Sequence, residues 1–191
     1  MEAAPVTALQ KLRTIQWHEQ DPSGELSGFE ALVEENHLQN FMLWHEEDIA
    51  RCDDLGAERV RAAKRVIDRC NQRRNDLIER MDQSIVESMQ PRTEGCTFHS
   101  ETPGMMIDRL SILALKQFHM KEEVERTDAH EDHILRCQNK LTVIEQQIGD
   151  LSEALDGLLQ EVQAGTRSFR VYYQFKMYND KELNPQLRRA A

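Results

Sequence analysis

The sequence predicts an all-α fold: an elongated antiparallel bundle of four to five helices with an extended C-terminal segment. Three observations carry this prediction. An apolar seam runs through Ile134, Cys137, Leu141, Ile144, Ile148, Leu151, Leu155, Leu158 and Val162 in steps of three and four, the a/d spacing of a long packed helix. A second seam, Val60, Ala63, Ile67, Cys70, Leu77 and Met81, is interrupted by Arg74. Period-two alternation occurs once, at Phe169, Val171, Tyr173, Phe175 and Met177, with no second convincing strand to pair with it.

Each element follows from local signals. The first helix is predicted over Thr7–His18, ahead of a loop rich in Pro, Gly and Ser. Ser27 and Glu30 form a capping box that opens a second helix from Phe29 to about Cys52. Asp53 to Gly56 is a turn, and a third helix runs from Ala57 to Met89, where Pro91 disfavours helix in Gln90. Thr102 and Pro103 supply an N-cap and a first-turn proline for the fourth helix, which extends to about Arg126. A second capping box, Asp128 with Glu131, opens the fifth helix, and Gly165 ends it. The third and fifth helices would each be roughly 50 Å long, so the two are expected to pack along their length. The chain thus divides into an N-terminal helix and loop (1–28), the bundle (29–165) and a C-terminal strap and tail (166–191).

Composition narrows the function. A net charge of −10 argues against nucleic acid, whose phosphates need a basic face. No stretch approaches the length of a membrane span, and the N-terminus lacks a secretory pattern, so membrane insertion is not expected and the cytoplasm is. Cys52, Cys70, Cys96 and Cys137 lie far apart without a C-x-x-C pair, as reduced and mostly buried thiols do.

The segment from Ser100 to Met120 has the strongest chemical character. Asp108, Arg109, Ser111, Lys116 and His119 fall within one arc of about 160° on a helix, opposite an apolar arc, with Ile112 and Leu115 intruding. A mixed stripe of acid, base and imidazole beside apolar groups is the pattern of a site between helices. On the second helix Asn40, Trp44, Asp48 and Arg51 share a face, with His45 and Glu47 beside it. On the third, Lys64, Asp68, Asn71, Asn75 and Asp82 flank the seam. Mid-helix asparagines are poor helix formers that make no ion pair, so Asn71 and Asn75 point to specific hydrogen bonds. For any one of these residues, the ordinary alternative is a solvated polar flank.

If the faces converge, they form a cleft suited to Mg²⁺ and a small phosphorylated molecule. Asp48, Asp68 and Asp108 would hold the metal; Lys64, Arg109 and Lys116 would meet phosphate, with Asn71 and Asn75 as further ligand contacts. His119 would be the acid–base group, with a charge partner expected from another helix and Asp48 or Glu123 as candidates. A Cys₂His₂ zinc set from Cys96, His99, His133 and Cys137 is permitted by spacing. However, Cys137 sits in the seam, where a thiol packs as a small hydrophobe, so the sequence points away from Zn²⁺. No phosphate-binding loop, dinucleotide fingerprint or H-E-x-x-H motif occurs. The other reading is a non-catalytic interaction or homo-oligomerisation module that uses the helix seams.

The stretches FMLWHEEDIAR, KRVIDRCNQRRNDLIERMD, SETPGMMIDRLSILALKQFHM and QFKMYNDKELNP resemble a bacterial family catalogued as domain of unknown function 4254, over roughly Asn36 to Pro185. SETPG–DRLSILALK is the most specific part. The resemblance implies a bacterial cytoplasmic protein of this size and transfers no catalytic residue. All-α nucleotide pyrophosphohydrolases offer only an analogy of chemistry: the isolated fragments Glu79-x-x-Asp82 and Glu122-x-x-Glu125 stand in the wrong order for them.

Overall fold

The structure, a computed structural model, describes residues 1–24, 26–174 and 182–188. Its helices are α1 (Ala3–Glu19), α2 (Gly28–Ile49), α3 (Ala57–Met89), α4 (Pro103–Glu125), α5 (Glu131–Ala164) and the short α6 (Pro185–Arg188), with a 3-10 turn at Asp53–Leu55. The all-α bundle is as the seams predicted, and α3 ends at Met89 because Gln90 turns left-handed (φ 47°) before Pro91. Gly165 takes the left-handed position (φ 71°) that closes α5, a conformation glycine adopts without a Cβ penalty.

Several boundaries move for identifiable reasons. α1 starts at Ala3 rather than Thr7, because the Asp156 carboxylate of α5 accepts a 2.7 Å hydrogen bond from the Ala3 N–H and caps the helix from outside. α2 stops at Ile49 because Arg51 and Cys52 donate to Asp48 and Ile49 in tighter 3-10 fashion. Neither expected capping box forms. Ser27 makes no side-chain cap, and α5 begins after His130 while Asp128 is held by Arg126 (3.0 Å). The Thr102 cap does form, accepting from the Met105 N–H at 3.3 Å.

The long helices do not lie on one another. The α3 seam packs chiefly on α2, the α5 seam chiefly on α4, and α4 lies between the two pairs, antiparallel to α3. One core joins Ile78, Met81 and Ile85 of α3, Met106, Ile107 and Leu110 of α4, and Leu151, Leu155 and Leu158 of α5. α1 closes it with Ala3 and Val6. The first half of α3 packs on α2 alone, through Leu43, Ile67 and Cys70.

The loop before α4 and the start of the strap pair after all. β1 (Thr97–Phe98) runs parallel to β2 (Arg167–Ser168), short enough to have left no alternating run in the sequence. Beyond β2 the strap buries Phe169 and leaves Tyr173 exposed. It is tied to α3 by the Gln174 N–H donating to Glu79 (2.8 Å) and the Gln83 amide donating to the Tyr173 hydroxyl (3.0 Å). The expectations for Phe175 and Met177 lie outside the described residues. All four cysteines are free thiols, with Cys70 and Cys137 buried and Cys52 exposed. Among the described residues, no helix is long and apolar enough to cross a membrane.

Candidate functional site

The α2–α3–α4 junction contains a buried polar network. Asp108, 5% exposed, accepts on one oxygen from the amides of Asn36 and Asn40, each at 3.0 Å. The Arg74 Nε stands 3.5 Å from the same oxygen, and Arg74 Nη1 donates to the Asn40 carbonyl oxygen at 3.1 Å. Asn40 also donates to Ser111 Oγ at 3.0 Å, and Ser111 lies 2.7 Å from His37 Nδ1. At the other end His37 Nε2 is 2.9 Å from Thr14 Oγ, whose proton goes to the Gln10 carbonyl. That last bond fixes the direction of the chain. Thr14 must accept from His37 Nε2–H, so Nδ1 accepts from the Ser111 hydroxyl.

His37 and Ser111 are both wholly buried, and burial lowers the imidazole pKa from 6.5 to about 3. A neutral Ser–His pair closed to solvent has no route for a substrate. It locks α1, α2 and α4 together.

Arg74 reaches from this network into an open cleft of about 340 Å³ between α2, α3 and α4. Asn40, Trp44, Glu47, Asp48, Arg51, Asn71 and Arg74 form its polar lining, with Leu43, Ile112 and Leu115 as an apolar wall. Arg51 is paired with Glu47 at 2.5 Å. Arg74 Nη2, the Asn71 amide and the Trp44 indole N–H have no hydrogen-bond partner among the described residues, so the free polar groups of the inner cleft include several donors.

The expected convergence is therefore partial. Asn71 and Asp48 line this cleft and Asp108 supports it from behind, but the remaining residues are elsewhere. Arg109, exposed and bound to Glu101 at 2.6 Å, and Lys116 line a different cavity of about 640 Å³ between α4 and α5. α4 is covered by α2 and α3 on one side and by α5 on the other, so its polar arc is split: Arg109 lies about 100° around the helix from Asp108. Lys64 and Asp68 are exposed on the half of α3 that only α2 covers, and Asn75 is half-buried outside the cleft lining. Asp48, Asp68 and Asp108 accordingly do not gather as a metal set. Nor do the four residues of the expected zinc set: His99 hydrogen-bonds to the Glu101 carbonyl, away from His133 and Cys137.

His119 lies in a different environment from the one expected, and its partner is on its own helix. Nδ1 meets the Glu122 carboxylate at 2.7 Å, whereas Glu123 binds His133 (2.8 Å) and Arg126 (3.1 Å). The His119 ring stacks on Trp44 at 4.7 Å and lies 5.0 Å from the His18 ring and 5.9 Å from His45. His18 stacks on Phe118 at 4.1 Å, and its Nδ1 meets the Thr14 carbonyl at 2.6 Å. Burial, then the neighbouring imidazoles of His18 and His119, push the His45 pKa down, against the opposing pull of Asp48 and Glu122.

Among the described residues, two groups of side chains are close enough to hold a metal: His18, His45 and His119, and Glu123, His133 and Cys137. In the second, Cys137 Sγ (3.4 Å) and the Glu123 carboxylate approach the same nitrogen of His133, so the geometry is not that of a thiol–imidazole–carboxylate relay.

His18, His37 and Asn36 were not singled out from sequence. The available signals were a polar Asn-His pair inside an otherwise packed helix and the arginine interrupting a heptad seam. No curated protein and no solved structure matches the chain. The family described as Protein of unknown function (DUF4254) matches residues 30–171, well over half of the sequence, and the chain belongs to that family.

Proposed function

We propose that the protein binds a small phosphorylated metabolite in the α2–α3–α4 cleft. The observation that carries this reading is Arg74. A guanidinium occupies a seam position where the heptad pattern calls for an apolar side chain, and Asp108 and Asn40 hold it from behind. Burying such a pair is expensive and contributes little net stability, so a role in recognition gives a reason for it. Its remaining edge, the Asn71 amide and the Trp44 indole offer donors to phosphate oxygens. Asp48 at the rim suits a hydrated Mg²⁺ that bridges to the ligand, since Mg²⁺ commonly takes one or two carboxylates plus phosphate. Binding rather than hydrolysis is proposed, because His119 stacks on Trp44 and is not among the lining residues of the cleft. The interaction-module reading has less support: the seams it would use are buried within the chain over most of their length, with Val60, Ile134 and Leu141 only partly covered.

Calorimetric titration with glycerol 3-phosphate, AMP and inorganic phosphate, with and without Mg²⁺, tests the reading. At least one phosphorylated probe should bind with a stoichiometry of one. Arg74→Lys, which keeps the charge but loses the planar fork, should weaken it tenfold or more, as should Asn71→Leu. Absence of binding, or binding indifferent to both substitutions, would reject it.

A further inference from the structure

We propose that His18, His45 and His119 form a centre for a zinc-class divalent transition metal, held by three imidazoles with a coordination position left for an exchangeable ligand. This site is separate from the cleft reading and does not depend on it.

The three histidines come from three helices, the end of α1, the last turns of α2 and the last turns of α4, and their ligand atoms lie within 4.8 Å of one another. Two of the rings are already set up as ligands. The Thr14 carbonyl can only accept, so His18 carries its proton on Nδ1, and the Glu122 carboxylate holds the His119 proton on Nδ1 in the same way. Each Nε2 therefore presents a lone pair. Both Nε2 atoms are buried without a hydrogen-bond partner. An unpartnered buried acceptor is costly to leave, and here two of them belong to one cluster.

A backbone carbonyl or carboxylate on the second nitrogen is the usual outer shell of a metal-bound histidine. The ring orientations are fixed by Phe118 against His18, Trp44 against His119 and Phe41 against His45. Four-coordinate zinc at about 2.0–2.1 Å needs nitrogens about 3.3 Å apart, and the ligand atoms lie within 4.8 Å of one another, so binding asks for a closure of at most about 1.5 Å.

The donor set selects the metal class. Three imidazole nitrogens suit zinc, copper, nickel or iron, and do not suit Mg²⁺ or Ca²⁺, which take oxygen. Three protein ligands also fall one short of a closed tetrahedral site, the arrangement of centres that keep a position for water or a ligand. A depression lined by Trp17, Asp21, Pro22 and Phe41 lies against His18 and His45 and gives a path for the ion and that ligand. The Glu123–His133–Cys137 group is the competitor, but its imidazole nitrogen is already engaged by Glu123, which Arg126 also holds.

The test is titration of the metal-stripped full chain with Co²⁺, read by visible absorption, followed by displacement with Zn²⁺. The expected result is one Co²⁺ per chain, d–d bands of a nitrogen-ligated four- or five-coordinate ion, no sulfur-to-metal charge-transfer band, and displacement by Zn²⁺. His45→Gln should weaken binding by about 100-fold or more. Glu122→Gln, at an exposed carboxylate that does not hold the fold together, should weaken it by about 10-fold through the outer shell. Cys137→Ser and Arg74→Lys should titrate like wild type, the latter separating this site from the cleft. The proposal is overturned by no binding, by a thiolate band that disappears in Cys137→Ser, or by unchanged affinity in both His45→Gln and Glu122→Gln.

Discussion

Replacing His37 by Gln should remove a defined part of the pH dependence of stability. In the folded chain the ring stays neutral down to about pH 3, whereas in the unfolded chain it takes a proton near 6.5. A depressed folded pKa means that the unfolded state binds the extra proton first, so stability falls as the pH drops from 6.5 towards 3. At about 1.4 kcal/mol per pH unit, the whole gap is worth about 5 kcal/mol, and the part lost between pH 7 and pH 5 is about 2 kcal/mol. Wild type alone will understate this. Asp82, 2% exposed, has a pKa raised to about 6 by burial, against the pull of hydrogen bonds from Thr102 and Gly104. Its folded pKa lies above the unfolded value, so it binds its proton more readily when folded and contributes stability as the pH falls from 6 towards 3.8. Between pH 7 and 5 that offsets the His37 loss by about 1 kcal/mol. Urea unfolding of wild type and His37→Gln at both pH values, followed by far-ultraviolet circular dichroism, isolates the His37 part because the Asp82 contribution cancels in the difference. The variant should be less stable than wild type at pH 7 but lose about 2 kcal/mol less on acidification. Parallel losses in the two proteins would mean that His37 is not a buried neutral ring.

The same measurement on Asp82→Asn should give the opposite sign, with the variant losing about 1 kcal/mol more than wild type between pH 7 and 5; an unchanged slope would refute the buried carboxyl. Gly104→Ala should lower the melting temperature by an amount equivalent to about 1–3 kcal/mol, because a Cβ there would stand 2.6 Å from the Ile78 carbonyl oxygen and 2.8 Å from Asp82, leaving α3 and α4 to move apart. Leu155→Ala, at a wholly buried seam position, should cost about 2–5 kcal/mol in urea unfolding. A cost under 1 kcal/mol would place that seam outside the core.

The helices were legible because their signals are local. The three-and-four spacing of Ile144 to Val162, the Thr102-Pro103 start and the Gly165 stop all act within a few residues of themselves. The failures share the opposite property. Asp156 caps α1 from across the bundle, and nothing near Ala3 announces it. Likewise, β1 and β2 are two residues each and pair over a long separation, too short for a period to show.

The site was legible in parts for the same reason. A stripe on one helix fixes which residues share a direction but not which neighbouring helix covers it. Asp108 therefore went to α2 and α3, while Arg109 and Lys116 went to the α5 side. His18, His45 and His119 come from three helices with no spacing motif linking them, so their meeting depends on tertiary packing alone.

The α2–α3–α4 cleft is tested most directly by NMR mapping of the phosphorylated probe that binds. Shifts are expected at the Trp44 indole, the Asn71 side-chain amide and the Arg74 guanidinium, with Arg109, Lys116 and their α4–α5 cavity unmoved. Shifts confined to Arg109 and Lys116, or none at Arg74, would contradict binding in that cleft.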